Sequence, residues 1–165
     1  RLRYLIQLNL QHNQLESVSE KIGSLIHLKE LNLSENKLKE IPDKIQKTIE
    51  LTHLDLSYNQ LKIIPSLVSS SLNLSHLACH HNLLSEIPES LGSLIHLKEC
   101  DLSFNLIKSI PKQLFSLPEL KSLNLNANFL SSYSIPQNVT LPSQFTMETY
   151  EISRIPEFDL KKIKN

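Results

Sequence analysis

Histidine, cysteine and carboxylate side chains are the raw material of metal sites, acid–base pairs and nucleophiles, and in this chain they recur at a fixed spacing. His53 and His76 are 23 residues apart, Asp55 lies two residues after the first, and His80 and His81 follow the second. Zinc requires three or four such ligands converging on one point. Side chains repeated at a constant interval lie in rows across a surface and do not converge, so we expect neither metal nor cofactor. Cys79 and Cys100 each stand where leucine is otherwise found, which predicts buried thiols beyond the reach of a substrate. No serine sits in G-x-S-x-G, and pairing Asp55 with His76 on an open face provides no pocket to hold substrate and exclude water. The expectation is that the chain is not an enzyme. The histidines have another use: imidazole changes charge near neutrality, and Glu30 and Glu99 flank the pair, which would make the surface a pH sensor.

Composition excludes further classes. The chain has 165 residues, enough for one domain with a real core. Lys plus Arg is 17 and Asp plus Glu is 17, so the net charge is zero and the basic footprint of a nucleic-acid binder is missing. Gly23 and Gly92 are the only glycines, and neither belongs to a phosphate-cradling loop. Leucine accounts for 33 residues, yet no apolar run approaches the roughly 18 needed for a membrane span. The leucines are therefore spaced, and the spacing is informative.

Asn13, Asn36, Asn59, Asn82, Asn105 and Asn128 follow one another at intervals of 23, each in a frame LxxLxLxxNxL with few exceptions. Clear copies run 28–38 (LKELNLSENKL), 51–61 (LTHLDLSYNQL) and 97–107 (LKECDLSFNLI), and Ile-Pro follows at 41/42, 64/65, 87/88 and 110/111, with Val18-Ser19 in the first copy. Apolar residues recur at 22, 45, 68, 91 and 114, and the octapeptide GSLIHLKE stands both at 23–30 and at 92–99. This period and frame resemble the leucine-rich repeat family over residues 2 to about 136. The repeat length and the IPxxI continuation resemble the intracellular class of Ras-pathway scaffolds, Ras-suppressor-like proteins and Roco kinases.

The frame has a physical reading of its own. Alternation in LxLxL puts apolar side chains on one face of a short strand and polar ones on the other. The proline after Ile41, Ile64, Ile87 and Ile110 has no N–H for a ladder bond, so the strand has ended there and the chain is turning back. About a dozen residues then return through a short helical or 3₁₀ turn. One such unit cannot enclose its own leucines, so units must stack. The expected fold is an α/β leucine-rich repeat solenoid, a right-handed horseshoe with a concave parallel β-sheet and short helical, 3₁₀ or irregular convex segments. Residues 1–136 form six strand-bearing units, and 137–165, where 143, 146 and 148 are not leucine, form a C-terminal cap or a linker to a following domain. The asparagine column is read as a structural ladder that satisfies backbone groups at the turn, not as a site.

With the core positions committed, specificity must lie in the polar letters of the strands. Those columns nominate Glu30, Asn32, His53, Asp55, Tyr58, His76, His80, Glu99, Asp101, Phe104 and Asn124 as the partner-binding face. An acidic stripe interleaved with histidine and flanked by aromatics suits a basic or polar protein surface. The resemblance implies cytoplasmic signalling, with a small GTPase or a phosphatase as the kind of partner. The alternative is a regulatory or scaffolding segment of a larger kinase, phosphatase or cyclase, since the chain begins at Arg1 and reads as cut from something longer. A third reading, an extracellular recognition domain, would put glycan on the sequons at Asn32, Asn73 and Asn138. Against it, Cys79 and Cys100 are two strand residues apart on neighbouring strands, about 8 Å between Cα atoms, beyond the roughly 7 Å reach of a disulfide. Free thiols suit a reducing compartment. Replacing the buried Leu54 by alanine should cost about 2–5 kcal/mol, whereas Asp55→Ala should cost little.

Overall fold

The computed structural model describes residues 2–65, 71–137 and 139–147. Seven strands form one parallel sheet in chain order: β1 Gln7–Asn9, β2 Glu30–Asn32, β3 His53–Asp55, β4 His76–Ala78, β5 Glu99–Asp101, β6 Ser122–Asn124 and β7 Gln144–Thr146. The register advances by one repeat per strand, so that Leu8, Leu31, Leu54, Leu77, Cys100 and Leu123 oppose one another in turn. Leu31, Leu54 and Leu77 are at most 2% exposed, as the alternation requires.

In the second to fifth repeats Ile-Pro stands nine residues beyond the end of the strand and starts the return. Glu20–Ser24, Asp43–Lys47, Glu89–Ser93 and Lys112–Ser116 are 3₁₀ turns; the last three begin behind Pro42, Pro88 and Pro111 at φ of −66°, −67° and −68°. Proline fixes that angle and withholds an N–H that the start of a turn could not use. In the first repeat Ser19 replaces it and accepts from the Lys21 N–H. Ile22, Ile45, Leu91 and Leu114 point from these turns into the core, while position 68 lies outside the described residues. Gly23 is required by close approach: a Cβ there would lie 2.1 Å from the Lys44 carbonyl oxygen of the next turn.

The asparagine ladder is built as expected. Asn59 donates to the carbonyls of Leu33, Leu56 and Ser57 and accepts from the Leu38 N–H of the preceding repeat, and Asn36, Asn82 and Asn105 repeat the pattern. The residue before each asparagine is left-handed: His12, Glu35, Tyr58, His81, Phe104 and Ala127 have φ between 52° and 58°. This conformation costs an L-residue roughly 1–2 kcal/mol. Cross-repeat bonds on both sides of it hold it in place, such as Tyr58 N–H to the His80 carbonyl at 2.9 Å and Asn59 N–H to the His81 carbonyl at 3.2 Å.

Beyond the sixth repeat the frame does not fail but shifts. Gln144, Phe145 and Thr146 pair with Ser122, Leu123 and Asn124, an interval of 22. One residue fewer in the connection puts Phe145 and Met147, not 146 and 148, in the leucine positions, and both pack against the core. Phe145 meets Phe115 edge-on at 6.1 Å. The segment 137–165 thus supplies a seventh strand within its described part; residues 148–165 lie outside the described residues.

Candidate functional site: the concave face and its aromatic rim

The outward side chains of the seven strands line one open groove of about 700 Å³. Of the residues expected at the site, the groove takes Glu30, Asn32, His53, Asp55, His76, Glu99, Asp101 and Asn124. Among the described residues that line it, Glu30, Asp55, Glu99 and Asp101 are the only fully charged side chains, with no lysine or arginine. An acidic trough is therefore carved into a chain of zero net charge. Lys29 and Lys98 lie aside, in a shallower hollow with Glu50, His96 and Glu119. His96 donates to Glu119 and, with the nearby lysines, holds that carboxyl below its usual range.

At the centre of the groove His53 and His76 stack with ring centroids 4.2 Å apart and planes within 9°. Adjacent strands alone bring the rings this close, because the register places the two residues opposite each other. The Thr52 hydroxyl donates to the Lys29 carbonyl and so accepts from Nδ1 of His53 at 2.9 Å; Ser75 does the same for Nδ1 of His76 at 2.8 Å. Both rings thereby carry their proton on Nδ1 when neutral, an assignment that follows from the hydrogen-bond network. His76 then turns Nε2 toward Glu99, 3.6 Å away.

The aspartates have a second task that their position in the frame did not reveal. Oδ1 of Asp55 accepts from both the N–H and the hydroxyl of Ser57, and Oδ1 of Asp101 does so from Ser103. Asn32 makes the same two bonds with Ser34. The fifth letter of the frame is thus a turn-forming Asx position, and Asp55→Ala, expected to be nearly silent, would strip two donors of a buried serine. Oδ2 of Asp101 accepts from Asn124 at 3.1 Å.

Tyr58, His80 and Phe104 do not line the groove; they form a second cluster at its rim. The left-handed residues of successive repeats put Tyr58, His81 and Phe104 in one stack, with centroid distances of 4.2 and 4.1 Å and planes within 17° and 16°. His80 stands edge-on to Tyr58 and shares a 3.0 Å hydrogen bond with His81. Burial between the rings, and then the neighbouring His80, hold His81 below the usual histidine range. Its central place was missed because the sequence ranks columns by letter, while stacking depends on ring geometry. Gln144 and Thr146 were missed too, because the one-residue shift hid the seventh strand.

Cys79 and Cys100 are free and buried. Burial, helped by Asp101, pushes the Cys100 thiol up to about 12, and Cys79 is raised as well, so neither is a nucleophile near neutrality. Among the described residues no three His, Cys, Asp or Glu side chains are placed to hold a metal ion, and no helix is long and apolar enough to cross a membrane.

The sequence profile of the leucine rich repeat family matches residues 3–61 and again 26–84. Among solved structures, the ectodomain of the Arabidopsis thaliana membrane receptor kinase GASSHO1/SCHENGEN3, in complex with CASPARIAN STRIP INTEGRITY FACTOR 2, is 31% identical at a TM-score of 0.75, over 87% of this chain and 18% of that one. The plant peptide hormone receptor RGFR1 in complex with RGF2 is 36% identical at a TM-score of 0.69, over 75% of this chain and 21% of the receptor. The Leptospira interrogans leucine-rich repeat protein LIC12759 is 29% identical at 0.62, over 86% and 43%. This chain therefore spans less than half the length of each of these. No curated protein matches it. The 23-residue period of the first six repeats, the parallel sheet, the asparagine ladder and these likenesses agree: the chain belongs to the leucine-rich repeat family.

Proposed function

We propose that this repeat array is a protein-binding module that receives a basic partner segment along its concave groove. The observation that carries the reading is the lining itself: among the described residues, four carboxylates and no lysine or arginine, in a groove that runs along all seven strands. Charge of one sign focused in a concave surface steers association and rejects partners of like charge. The solved complexes of the peptide hormone receptor RGFR1 with RGF2 and of GASSHO1/SCHENGEN3 with CASPARIAN STRIP INTEGRITY FACTOR 2 support a partner of that class. The two free, buried thiols support a reducing, cytoplasmic setting; a signalling protein such as a small GTPase or a phosphatase as partner is what the resemblance implies there. Glycan on Asn73, which is itself exposed, would overturn that setting without touching the binding reading.

The test is affinity capture with the parent chain and with the combined variant Glu30→Gln, Asp55→Asn, Glu99→Gln and Asp101→Asn. Asparagine keeps the turn bonds that Asn32 already makes in the same letter, so charge is removed without unmaking the fold. Basic partners held by the parent and lost by the variant are the expected result. Partners retained equally by both would move binding off the groove.

A further inference from the structure

The rim stack is incomplete, and its open end has the shape of a site. Tyr58, His81 and Phe104 fill three successive rungs of the left-handed column. Before Tyr58 the next rung is Glu35, engaged by Gln11 at 2.9 Å and by His12 at 2.6 Å. Beyond Phe104 the next rung is Ala127, in the same backbone conformation but with only a methyl group. Among the described residues no ring follows Phe104 in the stack, and Phe104 is 52% exposed. Resting on the acidic-groove reading given above, we propose that this open face of Phe104, above Ala127, seats an arginine side chain of the bound partner.

Three features select that group. The slot continues a stack of flat rings, and guanidinium is the planar cation that lies flat on an aromatic face, which ammonium does not. Asp101 stands on the strand that leads to Phe104, and its charge reaches as far as His81 in the middle of the stack. His81 itself is held toward its neutral form, so the stack does not repel a cation near neutrality.

The probe is a capped nonapeptide in which lysine alternates with serine, compared with versions whose central lysine is replaced by arginine or by tryptophan. Each is titrated into the full 165-residue chain near neutral pH and low salt. The arginine peptide is expected to bind about five- to tenfold more tightly than the lysine peptide. Phe104→Leu, which keeps an apolar side chain but removes the ring, and Ala127→Leu, which fills the slot, should each bring the two peptides to within about twofold, with circular dichroism confirming the fold. The charge-neutralised groove variant should weaken both peptides alike. Equal binding of arginine and lysine peptides by the parent overturns the stack proposal while leaving the groove reading intact. Preference for the tryptophan peptide overturns the assignment of the slot to a cation. Failure of every peptide to bind overturns both.

Discussion

Replacing Asn59 by alanine should destabilise the array at one identifiable atom. The Asn59 amide group donates to the carbonyls of Leu33, Leu56 and Ser57. Each of these has a second donor: Asn36 on Leu33, Asn82 on Leu56 and the Glu35 N–H on Ser57. The Leu38 N–H is different, because its bond is to Oδ1 of Asn59 at 2.9 Å, in a residue that is 0% exposed. An orphaned buried N–H costs about 1–3 kcal/mol, and weakening the three shared carbonyl bonds brings the whole to roughly 2–4 kcal/mol. Asn13 is the internal control: it bonds only the Leu10 and Gln11 carbonyls in an exposed turn, and its alanine variant should cost less than about 1 kcal/mol. Urea unfolding followed by far-ultraviolet circular dichroism suits a chain without tryptophan. The transition midpoint should fall for Asn59→Ala with its slope unchanged, and hydrogen exchange should single out the Leu38 amide as newly labile. Equal losses at positions 13 and 59, or an unaltered Leu38 amide, would refute the reasoning.

Further outcomes follow from the same geometry. Asp55→Ala should cost about 1–3 kcal/mol through the stranded donors of Ser57, and Asp55→Asn well under 1; equal unfolding midpoints for the two would refute the turn role. Gly23→Ala should cost about 1–3 kcal/mol in thermal unfolding, because the new Cβ meets the Lys44 carbonyl of the next turn and the two repeats must part. His81 should titrate by NMR below its ordinary 6.5, and Phe104→Ala, which uncovers it, should raise that midpoint toward 6.5. Because its folded value is lowered, the denatured chain takes up the proton first, and this contribution to stability declines as the pH drops from 6.5 toward the folded midpoint. Cys79 and Cys100 should resist an aromatic disulfide reagent at neutral pH and react fully in denaturing urea; rapid reaction of the native chain would refute their burial.

Period and frame by themselves determined most of this molecule. Each repeat is related to the next by nearly the same displacement, so residues 23 apart must be neighbours, and the face of Leu54, the ladder of Asn59 and the pairing of His53 with His76 could be read before any coordinate. What only the tertiary structure decided are matters within or against that displacement. The shift of the last strand depends on Phe145 packing against the core in place of a leucine, a gain that outweighs keeping the interval. The use of Oδ1 of Asp55 and Asp101 inside their own turns depends on where Ser57 and Ser103 present their donors. Likewise Tyr58, His81 and Phe104 become a stack because six non-glycine residues are held left-handed by bonds to neighbouring repeats. A linear sequence records the column but not the angle at which its side chains leave the backbone, and it is that angle that turns a list of aromatic residues into a stack.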